Sequence, residues 1–268
     1  MPFKGLALHT WTLDSTPLSQ VLQVARRTGW QAVELRRVDF IRAFEAGRSA
    51  EDVLELVQGS GLPVACVGVQ YGWMFAKAEE RRQLLEAFAD SCRWAAALNC
   101  QTVMSPVDRG QGDFRRAVAS VREVGDLAAE HGVRLALEFN SQSEQINTLD
   151  RVREVLSAAR HPQCGLLLDA YHLQRSGGLD SATDVRSEEI VYVQYSDVPS
   201  GVLERGVVLN RLPPGRGIVP FREFFGLLDD KRYEGYLSYE APNPAAWERD
   251  PEEVAREALA ATRSLLPS

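Results

Sequence analysis

Four short apolar runs in the second half of the chain each close on an oxygen-bearing side chain. Glu138 ends RLALE, Asp169 ends GLLLD, Gln194 lies within IVYVQ and Glu240 ends YLSYE. If these runs are adjacent strands, three carboxylates and one amide meet at a common edge. Carboxylates crowded into a partly desolvated site raise each other's pKa, and a divalent cation relieves that repulsion. A donor set of carboxylates, an amide carbonyl and water suits Mg2+ or Mn2+, with Mn2+ favoured where a histidine joins and with Co2+ or Zn2+ as alternatives. Glu138, Asp169, Gln194 and Glu240 are therefore the expected ligands of one metal, leaving coordination positions open for substrate oxygens. An acid after a strand also caps the next helix, and Asp169, which precedes Ala-Tyr-His-Leu, suits that use as well.

Further polar residues surround this set. His172 follows Asp169 by three positions and could reach the same edge, where it would serve as an acid or base. His9 in ALHTW and Gln70 in CVGVQYGW close two earlier runs, and Glu34 ends AVEL just before Arg36. His9, Glu34, Gln70 and Arg211 are the expected substrate-binding residues. His131, before Gly132, and His161, before Pro162, read as structural.

These residues need elements to position them. Strand signals fall at 6–11, 32–35, 64–69, 102–107, 133–139, 165–170, 190–195 and 236–240. Helical spacing falls at 17–28, 50–58, 79–98, 114–131, 150–159, more weakly 179–185, then 221–228 and 251–266. The strand runs are short, rich in Val, Leu and Ile, and mostly without alternation, as in a parallel sheet covered on both faces. Eight such units predict an α/β chain folded as a single (β/α)8 TIM barrel over residues 1–268. One stretch breaks the rhythm: residues 197–220 hold four glycines, four prolines and arginines at 205, 211 and 216. A loop of that length after a barrel strand predicts a binding loop. Trp73 and Phe75, in the loop after the third strand, read as exposed aromatics suited to a substrate wall or a homodimer contact.

Composition narrows the classes. The chain has 268 residues and a net charge of -7, from 30 Lys+Arg against 37 Asp+Glu, which argues against gripping nucleic acid. No run approaches the ~18 apolar residues of a membrane span, and the start lacks a secretory pattern, so a cytoplasmic protein is expected. Cys66, Cys92, Cys100 and Cys164 form no C-x-x-C pair and read as small buried hydrophobes. No Gly-rich phosphate loop is present.

At the segments LALEFN, LLLDAYH, VYVQYSD, RLPPGRG and YLSYEAPN the chain resembles the xylose isomerase-like TIM barrels, the sugar phosphate isomerase/epimerase family, across nearly its whole length. The resemblance implies one divalent metal held by Glu138, Asp169, Gln194 and Glu240. Gln194 departs from the family's usual histidine and is more similar to the 3-dehydroshikimate dehydratase branch, which shares the Asp-x-x-His spacing of Asp169 and His172. Endonuclease IV shares the fold, but its multi-metal site needs more histidines than the four here.

The expected function is that of a metal-dependent isomerase or epimerase of a keto-sugar or keto-polyol, removing a proton next to a chelated carbonyl. Glu138 and Glu240 are the expected acid/base pair, with His172 as an acid and Arg211 orienting the substrate. The partner is a small polyhydroxy ketone. A dehydratase or lyase on a 3-dehydroshikimate-like or 3-keto-sugar substrate is the alternative. An inactive sugar-binding protein and an AP-endonuclease-like nuclease rank lower.

Overall fold

The structure, a computed structural model, describes residues 3–201 and 206–267; Arg205 of the long loop lies outside them. Eight parallel strands close on themselves in chain order: β1 (Gly5–His9), β2 (Ala32–Arg36), β3 (Val64–Gly68), β4 (Thr102–Pro106), β5 (Arg134–Glu138), β6 (Cys164–Asp169), β7 (Ile190–Tyr195) and β8 (Tyr236–Tyr239). β8 returns to pair with β1, so the expected (β/α)8 barrel is complete and has no free edge.

The barrel interior explains why the strands look uniformly apolar. Ala7, Ala32, Cys66, Met104, Ala136, Leu167 and Tyr192 form one buried cluster. The residues between them, such as Leu8, Val33, Leu135, Leu166 and Val193, belong to the larger core with the helices. Both faces are therefore apolar over most of each strand. The interior row changes character at its carboxyl end. Two residues beyond Ala7, Ala32, Ala136, Leu167 and Tyr192 stand His9, Glu34, Glu138, Asp169 and Gln194, all buried. Side chains i and i+2 share a face, so these polar groups form the next interior layer. Register sets His9 beside Glu34 and Asp169 beside Gln194.

The outer helices are α1 (Leu18–Thr28), α2 (Arg37–Glu45), α3 (Ala50–Gly59), α4 (Ala78–Ala97), α5 (Phe114–Glu130), α6 (Leu149–Ala159), α7 (Ala170–Gln174), α8 (Phe221–Asp230), α9 (Pro244–Trp247) and α10 (Pro251–Leu265). Their ends carry local signals. Asp113, Thr148 and Asp250 each accept a backbone N–H at a helix start. Gly29 stops α1 with φ of 90°, a left-handed conformation that glycine adopts without strain.

Several expectations are corrected. The first strand ends at His9 rather than running to Trp11, because His9 Nδ1 accepts from Trp11 N at 3.0 Å and turns the chain into a 3-10 segment, Thr10–Leu13. α2 was not expected; it follows β2 without a loop, and Asp39 accepts from Arg36 N at 2.7 Å to start it. The weak helix at 179–185 is instead a 3-10 turn, Leu179–Ala182, with a second turn at Ser187–Glu189. Trp73 is fully buried, its Nε1 donating to Ser105 Oγ at 3.0 Å, and Phe75 is half-buried, so neither forms an exposed contact surface. The exposed aromatic of that loop is Tyr71, at 44%. Among the described residues no helix is long and apolar enough to cross a membrane.

The four thiols are free, and three of them are fully buried. Burial pushes Cys92, Cys100 and Cys164 up to about 12, and Cys66 well above the ordinary thiol range. Since only the thiolate reacts, native protein at pH 8 is expected to react slowly with a disulfide reagent and to release all four thiols in denaturant. A rapidly reacting thiol in the native protein would contradict this packing.

Candidate active site

Above the polar layer lies a cavity of about 390 Å3 at the carboxyl end of the barrel. Of the residues singled out from the sequence, His9, Gln70, Glu138, His172, Arg211 and Glu240 line it. Asp169, Gln194 and Glu34 lie beneath, each fully buried. A second cavity of about 440 Å3, among α1, α2 and α3, shares only Arg36 with the barrel mouth. In it Arg36 and Arg42 both pair with Asp14, at 2.6 Å and 3.1 Å.

Arg211 is the centre of the charge arrangement. Its Nη1 donates to Asp169 Oδ2 and to Glu240 Oε2, both at 2.8 Å, and its guanidinium packs 4.2 Å from the Tyr171 ring centroid. At 4% exposure it is a buried counter-charge for two of the three carboxylates. The third, Glu138, is left without such a partner. Burial raises Glu138 well above the usual carboxylate range, and the charges of Asp169 and Glu240 raise it further against the pull of Arg211. Burial also raises Glu240, with Arg211 opposing. Deeper in the barrel, burial lifts Glu34 to about 8.

Two histidines complete the ring, and both are driven neutral. Burial lowers His9 well below its ordinary range, aided by Arg36 and Arg211; burial does the same to His172, aided by Arg211 and Arg175. Trp11 N donates to His9 Nδ1, so that neutral ring carries its proton on Nε2. His172 is held from both sides, its Nδ1 2.9 Å from Ser141 Oγ and 3.3 Å from Ser141 N, and its Nε2 3.4 Å from Arg211 Nη2. His9 Nε2 faces Glu240 Oε1 at 3.3 Å. His172 Nε2 stands 3.9 Å from both Glu138 Oε1 and Asp169 Oδ2.

Asp169 does both things that its sequence context allows. Oδ1 caps α7 by accepting from Tyr171 N at 3.0 Å, while Oδ2 faces Arg211. Ligand atoms of Glu138, Asp169 and His172 come within 4.8 Å of one another, close enough to hold an ion. Two buried oxygens here, Glu138 Oε1 and Gln194 Oε1, have no hydrogen-bond partner. Such oxygens are costly when left bare, and they are the donors a hard divalent cation takes. The residues thus fit a cation held by oxygen donors, with His172 beside them.

The model of the xylose isomerase-like TIM barrel family matches residues 22–265. The chain belongs to that family. It is similar to an inosose isomerase of Halalkalibacterium halodurans, 23% identical over 92% of this chain and 90% of that protein. It is also similar to a 3-dehydroshikimate dehydratase of Pseudomonas aeruginosa, 25% identical over 88% of this chain but only 38% of that longer protein. Among solved structures, an IolI protein with a binding zinc atom superimposes with a TM-score of 0.87 at 19% identity, covering 98% of each chain.

The cavity of this family member also has walls that strand-end reasoning did not reach: Trp11, Tyr71, Arg109 and Asn140. Asn140, two residues beyond Glu138, follows the same strand and was within reach of that rule. Trp11 stands on the 3-10 segment after β1, and Tyr71 and Arg109 stand on loops whose path the sequence does not fix.

Arg211 is delivered by the long loop, and Asp197 holds that loop shut. Asp197 pairs with Leu212 in an antiparallel bridge, and its buried carboxylate accepts from Val198 N and Val219 N at 2.9 Å and from Gly217 N at 2.7 Å. A side chain on Gly217 would overlap the Val198 carbonyl, so the closure needs glycine there. Asn243 Nδ2 ties the Arg211 carbonyl from the other side at 3.1 Å. Replacing Asp197 by Ala removes the acceptor of three backbone donors, of which Val198 N is buried, and is expected to cost about 1–3 kcal/mol in chemical denaturation. It should also lower kcat/KM by releasing Arg211. Unchanged stability would contradict this role.

Proposed function

We propose that the chain is a divalent-metal-dependent isomerase or epimerase of a keto-sugar or keto-polyol, with Glu138, Asp169, Gln194 and Glu240 holding the ion. The observation that carries the reading is Glu138: a buried carboxylate with an unpartnered oxygen, raised in pKa, on the wall of a cavity that also holds Glu240. When bound, the ion supplies Lewis acidity toward a substrate carbonyl and a neighbouring hydroxyl.

The chain's own groups do the rest. Glu138, desolvated and therefore a stronger base than a surface carboxylate, takes the carbon-bound proton. Glu240 stands at the end of β8, separated from β5 by β6 and β7, and returns or removes a proton from the opposite face. His9 Nε2–H and Arg211 both face Glu240 and hold its carboxylate in place. His172, whose Nε2 lies between Glu138 and Asp169, exchanges a proton with a substrate hydroxyl. The similarity to inosose isomerases, which covers both chains almost fully, supports this class. A second reading, a dehydratase acting on a 3-dehydroshikimate-like substrate, is supported by the similarity to the dehydratase relative and by the same His172 proton, which could leave with a departing hydroxyl.

The test is incubation in D2O with Mn2+ and a panel of ketoses, inososes and 3-dehydroshikimate. Deuterium uptake without loss of water is expected; growth of aromatic absorbance from 3-dehydroshikimate would favour the dehydratase. Glu138→Gln should slow exchange by about 100- to 10,000-fold. Turnover that survives both a chelator and Glu138→Gln would refute the proposal.

A further inference from the structure

Within the proposed ligand set, Gln194 is the member whose donor atom its chemistry does not fix. An amide presents an oxygen on one branch and N–H groups on the other, and only the oxygen holds a cation. Half a turn about its last bond exchanges the two.

Glu34 makes the choice. Gln194 Nε2 donates to Glu34 Oε1 at 2.9 Å, a bond that crosses the barrel interior from β7 to β2. Tyr192, two residues earlier on the same face of β7, donates its hydroxyl to Glu34 Oε2 at 3.1 Å. Both carboxyl oxygens are thus engaged from one strand, and Glu34 and Gln194 are fully buried. Glu34 keeps an acceptor at Oε1 whether or not Oε2 carries a proton toward Tyr192. A reversed amide would set two oxygens against each other and strand the N–H groups. In the observed orientation the atom left without a partner is Gln194 Oε1.

We infer that Glu34 is a positioning residue that fixes the amide of Gln194 with its oxygen free for the cation. This rests on the metal site proposed above and gives Glu34 a use other than touching substrate; it does not line the cavity. Partners behind a metal ligand set its orientation, and their loss typically weakens metal binding about 10- to 100-fold.

Calorimetric titration with MnCl2 alone tests it. Glu34→Met, which removes the acceptor, is expected to weaken Mn2+ binding by about 10- to 100-fold. Glu34→Gln keeps an acceptor oxygen and should stay near wild type, as should Tyr192→Phe, which leaves the Gln194 bond intact. A folded Glu34→Met variant binding Mn2+ as tightly as wild type overturns the inference while leaving the metal site standing. If Glu34→Met does not fold, wild-type crystals soaked in MnCl2 decide. Gln194 Oε1 on the ion with Nε2 on Glu34 supports the inference; Gln194 off the ion, with His172 in its place, overturns it. A wild-type protein that binds no Mn2+ overturns the metal reading and this inference with it.

Discussion

Three carboxylates share the dry end of one barrel, and the rest of the site is arranged around that repulsion. Asp169, Glu240 and Glu138 come from the ends of three strands, and all three are buried. Arg211 answers two of them through a single Nη1 atom, which leaves Glu138 raised in pKa and with an oxygen unpartnered. A buried charge without compensation costs several kcal/mol, which a proton on Glu138 or a further cation relieves. The geometry that makes the site expensive also raises Glu138 above the usual carboxylate range.

The long loop is part of the same electrostatic arrangement. Arg211 lines the cavity only if its loop is held in place, and Asp197, Gly217 and Asn243 hold it there by backbone hydrogen bonds. The neutral histidines extend this order. His9 is fixed at Nδ1 by the Trp11 N–H, which commits its Nε2 to donate toward Glu240, and His172 is held between Ser141 and Arg211. The site is therefore oriented before any substrate enters, as transition-state stabilisation in a low-dielectric pocket requires.

Much of this was legible in the sequence because barrel strands expose their carboxyl ends. Glu138, Asp169 and Glu240 each close an apolar run, and strand order alone brings them to one mouth. What the sequence hid depends on layers and loops. Glu34 closes a run in the same way, yet the position of β2 across the barrel from β7 sets it beneath Gln194 rather than in the cavity. Trp73 is next to the exposed Tyr71 and reads the same, but a bond to Ser105 turns it into the core. α2 lacked the loop that usually announces a helix, because Arg36 ends the strand and caps the helix at once.

The central claim is that the buried carboxylate cluster is completed by one divalent ion, and thermal unfolding with and without metal tests it most directly. An ion that binds the folded chain at 100 times its Kd adds about 2.7 kcal/mol, which for a chain of this size raises Tm by about 5–10 °C. The account predicts that rise with Mn2+ for the wild-type protein, saturating with one ion per chain, and its loss in Asp169→Asn. A Tm indifferent to Mn2+, Mg2+ and Zn2+ in the wild-type protein would contradict it.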